Sequence, residues 1–132
     1  MKKKYIVVGG VAGGATAAAR LRRLDEAADI VLIERGRHVS FANCGLPYYA
    51  GGVIKEQDSL LVQTPERLRA MFALDVRTES EVTAVAPDRH EITVRAKDGK
   101  TVTEHYDKLL LAPGAHPLVP PIPGIQQEAI HT

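Results

Sequence analysis

Cysteine is nearly absent from this chain of 132 residues, and its one thiol, Cys44, has no internal partner. A disulfide framework is therefore excluded, and any disulfide chemistry must take its second sulfur from another molecule. One cysteine also fits a reducing compartment, so the cytoplasm is the expected location. Charge of one sign is not in excess. The formal net charge is +1, which gives no electrostatic reason to expect nucleic acid or an anionic membrane as partner. No apolar run approaches the roughly 20 residues of a membrane span. The histidines, at 38, 90, 105, 116 and 131, are scattered without ligand spacing, and no metal site is expected.

What is present describes an ordinary soluble globular chain: 45% hydrophobic and 25% charged residues. Its length suffices for one domain with a modest core. Met1-Lys2-Lys3-Lys4 followed by a mostly apolar stretch to Ala19 imitates a secretory signal. Gly9, Gly10, Gly13 and Gly14 make that stretch a poor continuous helix, and it reads fully as strand, turn and helix.

Tyr5-Ile6-Val7-Val8 is a short β-branched run ending in glycine, the pattern of a buried parallel strand. From Gly13 to about Ala28 the period becomes helical, with Ala17, Leu21, Leu24 and Ala28 expected as the core-facing stripe. Asp29 is expected to break this helix before a second buried strand, Ile30 to Ile33. The three elements make a βαβ unit, whose crossover is right-handed. Thr64-Pro65-Glu66 spells a helix start, as N-cap, first position and first-turn acid, for a helix to about Ala73. A short strand around Val76 follows, then a meander over about 81–86, 91–96 and 101–106 with turns at Pro87-Asp88-Arg89 and Lys97-Asp98-Gly99. Leu109 to Leu111 reads as one more buried strand, and the proline-rich segment from Pro113 to Pro123 as an extended tail.

Three features carry chemistry. The first is Gly9-Gly10-Val11-Ala12-Gly13-Gly14, directly after a strand and opening a helix. Such a turn offers backbone N–H groups and the positive end of a helix dipole to a pyrophosphate. Gly9 serves the tight turn and Gly14 the close helix–strand packing, while Val11 replaces the middle glycine of the usual pattern. Glu34, twenty residues beyond Gly14, stands where a carboxylate accepts the hydroxyls of an adenosine ribose. The bland alternative is a glycine-rich turn that binds nothing.

The second is Ser40-Phe41-Ala42-Asn43-Cys44-Gly45-Leu46-Pro47-Tyr48-Tyr49. Pro47 suggests a helix starting just after Cys44, where the helix dipole favours a nucleophilic thiolate. Ser40 and Asn43 can hydrogen-bond a group bound beside the sulfur. Without these neighbours, a small buried hydrophobe is the commoner meaning of a lone cysteine. The third is the stripe Thr16, Arg20, Arg23 on the first helix, which is either a fork-shaped phosphate receptor or a solvated basic face.

Together, Val7 to Ala15, Arg22-Arg23-Leu24-Asp25 and Ser40 to Tyr48 closely resemble the amino-terminal part of the single-cysteine coenzyme A-disulfide reductases. These belong to the FAD-dependent pyridine nucleotide-disulfide oxidoreductases. Tyr106 to Ala115 looks like the later strand-turn of the same FAD domain. The resemblance implies an α/β fold, namely a Rossmann-like FAD-binding domain with a parallel sheet plus a three-stranded β-meander. It implies that NAD(P)H reduces FAD and that the flavin passes electrons to Cys44, which cycles between thiolate and a mixed disulfide with coenzyme A. By the same resemblance, Gly9, Val11, Ala12, Gly13, Glu34, Arg35, Asn43, Val82, Ala112 and Gly114 match positions that contact FAD. Thr16, Arg20, Arg23, Ser40 and Asn43 match positions that contact coenzyme A.

Members of that family are several times longer, with a second glycine-rich fingerprint for NAD(P)H, a later aspartate-bearing segment and a dimerisation domain. Residues 1–132 are therefore expected to be the amino-terminal part of an FAD-binding domain from a homodimeric parent, ending at His131-Thr132. Alone, the chain is expected to bind FAD weakly and not to turn over NAD(P)H. Two rival readings remain: an NAD(P)H oxidase or peroxidase whose cysteine cycles through sulfenic acid, and a non-catalytic flavin-binding module with an inert cysteine.

Overall fold

The computed structural model describes residues 2–128, so His131 and Thr132 lie outside the described residues. Strand β1 (Lys4–Val8), helix α1 (Gly13–Leu24) and strand β2 (Asp29–Ile33) form the expected βαβ unit. β1 and β2 pair in parallel from Lys4 with Asp29 to Val8 with Ile33. A short helix α2 (Leu46–Ala50), helix α3 (Pro65–Phe72) and strand β3 (Asp75–Arg77) follow. The meander is β4 (Glu81–Ala86), β5 (Glu91–Arg95) and β6 (Thr101–His105), and β7 (Lys108–Leu111) returns to the first sheet. The parallel sheet has the order β3-β2-β1-β7, and the antiparallel sheet the order β4-β5-β6.

Side chains alternate across a strand, and that alternation divides the core in two. Val7, Ile30, Leu32 and Val76 face the helices, where Ala18 and Leu68 pack on them. Ile6, Val31 and Ile33 face the meander and meet Ile92 and Val94 of its central strand. The parallel sheet is thus covered on both faces, which is why β1 and β2 are continuous apolar runs. Thr64 caps α3 as its sequence predicts, its hydroxyl accepting the Arg67 N–H at 3.3 Å. The Glu66 carboxyl in the first turn is held below its usual range by hydrogen bonds from its own backbone N–H and from the Thr64 side chain.

Three expectations need correction. Helix α1 ends at Leu24, not near Ala28, and the break falls at Asp25, whose backbone is extended and whose N–H donates to Leu21 O. The Arg22 guanidinium donates to the carbonyls of Asp25, Glu26 and Ala28 in the following loop and to Phe72 and Ala73 at the end of α3. That bridge anchors the loop through a partner 50 residues away, which periodicity does not reveal. The buried helix face is Gly14, Ala15 and Ala18 with Leu21 partly covered, and Leu24 is 67% exposed. Close approach of α1 to β1 sets this rotation: a Cβ on Gly14 would lie 3.0 Å from Val7 Cγ1. Finally, β7 is not buried: Leu110 and Leu111 are 36% and 58% exposed, because among the described residues nothing flanks β7 beyond β1.

A charged cluster joins the two sheets. Glu104 on β6 accepts from Lys4 Nζ of β1 at 2.7 Å and from Arg77 of β3, which also pairs with Asp75. Burial alone would raise the Glu104 carboxyl, but the hydrogen bonds from Lys4 and Arg77 hold it below the usual range. A lowered folded-state value stabilises the fold above the unfolded carboxyl range near about 4.3 and loses that contribution as pH falls through the lower folded value. Glu104→Gln is therefore expected to cost about 1–3 kcal/mol at neutral pH. In urea unfolding, the gap between the two proteins should shrink as pH is lowered through the carboxylate range.

Candidate functional site

The glycine turn sits at the carboxyl end of β1, beside the carboxyl end of its parallel neighbour β7. This is the crevice in which open α/β sheets take ligands. Gly9 has φ +93°, and a Cβ there would lie 1.9 Å from the Ala112 carbonyl oxygen; one on Gly14 would lie 1.7 Å from Gly9 O. Both positions therefore require glycine, for the two reasons read from the sequence. Gly13 is open, with only Ala112 Cβ 3.8 Å from such a carbon. The N-cap of α1 is Ala12, with no side-chain cap and no acid in the first turn. Its first N–H groups are thus free of carboxylate competition for an anion.

Glu34 follows β2 and is partly buried. Its carboxylate accepts the Gly10 N–H on Oε2 and the Gly36 N–H on Oε1, each at 2.7 Å. A carboxylate has about four acceptor sites, so capacity for ribose hydroxyls remains. This backbone role was not visible in the sequence. It predicts that Glu34→Ala lowers stability by about 1–3 kcal/mol even without ligand, measurable by thermal or urea unfolding.

A cavity of about 240 Å³ opens beside Glu34, lined by Gly9, Glu34, Arg35, Val82 and Gly114, all named from the sequence. Ala112, also named from the sequence, does not line it; its carbonyl packs against Gly9. Ser80, Glu81, Pro113 and His116 also line it and were missed. Ser80 and Glu81 are brought there by backbone bonds of Ser80 N–H to Glu34 O and Glu79 N–H to Gly36 O, long-range ties with no local signal.

The second cavity, about 390 Å³, contains the thiol. It is lined by Val11, Ala12, Thr16, Ser40, Asn43 and Cys44, with Phe41, Ala42 and Val62. The glycine turn and the cysteine segment therefore share one concavity. Backbone ties between distant segments hold them together: Ser40 N–H donates to Gly10 O at 2.7 Å, Val62 N–H to Ser40 O at 3.0 Å and Ala42 N–H to Leu60 O at 2.8 Å. Val39 and Leu60 are buried beneath, and a Cβ on Gly45 would lie 2.5 Å from Leu60 Cδ2. Ser40 has φ +51°, a left-handed conformation uncommon for a residue other than glycine, asparagine or aspartate.

Cys44 is exposed. It lies within a 3₁₀ turn, Asn43–Gly45, and α2 begins two residues later at Leu46 with Pro47 in its first turn. The helix expected just after Cys44 is thus present, starting at Leu46 and five residues long, with the sulfur preceding it. Arg20 and Arg23 do not line the cavity. They are exposed further along α1 on the stripe that begins at Thr16, and neither guanidinium has a hydrogen-bonding or ionic partner among the described residues.

An open parallel sheet with a glycine turn at the carboxyl end of its first strand, an acid after β2 and a meander on the opposite face defines a Rossmann-like dinucleotide-binding domain. The chain belongs to the pyridine nucleotide-disulphide oxidoreductase family, which it matches over residues 3–132. It is 46% identical over 113 residues to a coenzyme A disulfide reductase of Staphylococcus aureus (strain JH9), covering 85% of this chain and 26% of that protein. Among solved structures it resembles the reduced CoADR-RHD of Bacillus anthracis, with a TM-score of 0.90 and 55% identity over 95% of this chain and 23% of the other. It also resembles a NAD-dependent persulfide reductase from A. fulgidus, with a TM-score of 0.90 and 38% identity over the same shares. The chain thus spans about a quarter of the length of the relatives it matches. No helix among the described residues is long and apolar enough to cross a membrane.

Proposed function

We propose that residues 1–132 form the amino-terminal part of the FAD-binding domain of an NAD(P)H-dependent reductase acting on coenzyme A disulfide or a related persulfide. The observation that carries this reading is the single cavity shared by Cys44 and the glycine turn, with Thr16, Ser40 and Asn43 around it. The residues fit FAD: the Gly9 and Gly14 cradle admits no side chain, the α1 N-terminus is uncapped and Glu34 keeps acceptor capacity. Gly9, Val11, Ala12, Gly13, Glu34, Arg35, Asn43, Val82, Ala112 and Gly114 would hold it. When bound, the flavin supplies two-electron chemistry between a nicotinamide and sulfur.

The chain's own contribution is nucleophilic. The Cys44 thiolate attacks one sulfur of the disulfide, the S–S bond breaks, and one coenzyme A thiolate departs as the Cys44 mixed disulfide forms. Two electrons delivered to that bond release the second thiolate and restore Cys44. Ser40 and Asn43 orient the bound thiol. Thr16 lines the cavity, and Arg20 and Arg23 continue its stripe along α1 as a basic edge for the phosphates of coenzyme A. A homodimeric parent and a cytoplasmic location belong to the same reading, the latter supported by the single cysteine.

The test is intact-mass analysis of the chain after exposure to coenzyme A disulfide. One adduct on Cys44, reversed by a reducing thiol, is the expected result. A sulfenate after peroxide with no coenzyme A adduct would instead favour the oxidase or peroxidase reading. Lack of reaction with either reagent would point to an inert cysteine.

A further inference from the structure

The tail after β7 leaves the sheet at Ala112, whose N–H bonds Val8 O, and then turns at Gly114, φ +75°. Beyond Ala112, its other backbone hydrogen bonds among the described residues are local ones, between 120 and 127. One side-chain bond ties it back: Arg35 Nη2 lies 2.9 Å from His116 Nε2. Both residues line the cavity beside Glu34, and they come to it from different segments, Arg35 from the end of β2 and His116 from the tail.

The chemistry of that bond is directional. A guanidinium has only donors, so Nε2 of His116 must accept, and the ring proton sits on Nδ1. Arg35 has no carboxylate partner among the described residues, although Glu34 and Glu81 face the same cavity. Two planar polar groups joined across the opening of a small pocket, over a carboxylate with spare acceptor sites, suit a flat heteroaromatic base attached to a ribose. Among the described residues, no other hydrogen bond ties segment 113–118 to the rest of the domain.

We propose that Arg35 and His116 form a clasp that closes the tail over the adenosine end of a bound dinucleotide, making His116 a recognition residue. This rests on the reading of the Glu34 cavity as the adenosine site. The clasp holds the tail over the ligand, so ligand affinity and tail protection rise together.

The experiment titrates ADP and FAD into the wild-type chain, His116→Ala, Arg35→Ala, the double variant and His116→Gln, by calorimetry. Amide hydrogen exchange is followed over 113–118 in parallel. His116 is exposed on the tail and outside both cores, so its replacement leaves folding intact. Loss of one hydrogen bond to a charged group predicts roughly tenfold weaker ADP binding for His116→Ala. The double variant should be no weaker than the worse single one, and His116→Gln, which keeps an acceptor, should recover most of the affinity. ADP should protect 113–118 in wild type and not in His116→Ala. Wild-type ADP binding that is unchanged in His116→Ala, or losses that add in the double variant without rescue by glutamine, would overturn the clasp alone. Absence of binding of either ADP or FAD to the wild type would remove the adenosine site itself, and the clasp with it.

Discussion

Cys44→Ser in a full-length enzyme carrying this amino-terminal sequence is expected to abolish disulfide reduction while leaving the flavin bound. A serine oxygen cannot form or exchange an S–S bond, and residues 1–132 hold no second thiol to take over. The sulfur lies on an exposed 3₁₀ turn, and the nearby structural contacts are made by Val39, Gly45 and Leu60 rather than by the thiol. Loss of thiol release with retained flavin absorbance is the predicted signature. Full reductase activity in the serine variant would dismiss the mixed-disulfide mechanism.

The second large effect is structural. Gly9→Ala is expected to destabilise the fold by about 3 kcal/mol or more and to remove dinucleotide binding, through positive-φ strain together with a clash against main chain. The added carbon would lie 1.9 Å from Ala112 O and 2.6 Å from the Ala112 carbonyl carbon, atoms that cannot rotate away. Relief requires β7 to part from β1 beside the ligand crevice. Gly13→Ala is the control, since its site is open and helical. There the change should leave the fold intact or stabilise it by about 0.4–1 kcal/mol. Urea unfolding of both variants decides the matter: equal stabilities would refute the steric account.

Much of this was legible because it is local. The β-branched run before Gly9, the Thr64-Pro65-Glu66 cap and the proline and glycine turns of the meander each act over a few residues, and all form where the sequence places them. The glycine turn and Glu34 were legible for a related reason: a βαβ unit brings the ends of two strands together from one short segment. Helix α1 shows where this stops. Its apolar residues permit two rotations, and packing chose the one that puts Gly14, Ala15 and Ala18 under the helix and leaves Leu24 outside. Its end was set by Arg22 reaching the carbonyls of α3.

The cavities divide in the same way. Cys44, Ser40 and Asn43 were visible as a motif, but their meeting with Val11 and Ala12 depends on the Ser40–Gly10 bond and on Leu60 beneath Gly45. Ser80, Glu81 and His116 carry no pattern in the chain, because they are delivered by strand pairing and tail closure across tens of residues.

By itself, then, the amino-acid order determined that residues 1–132 hold one sulfur without an internal thiol partner and that an early strand-turn-helix has the pattern of a dinucleotide-binding turn, because both follow from residue identity and short-range geometry. Tertiary structure decided which helix face is buried, that Glu34 braces the glycine turn, and that the sulfur and that turn open onto one cavity. Those outcomes depend on close packing and hydrogen bonds between distant segments, where a single contact outweighs any local preference.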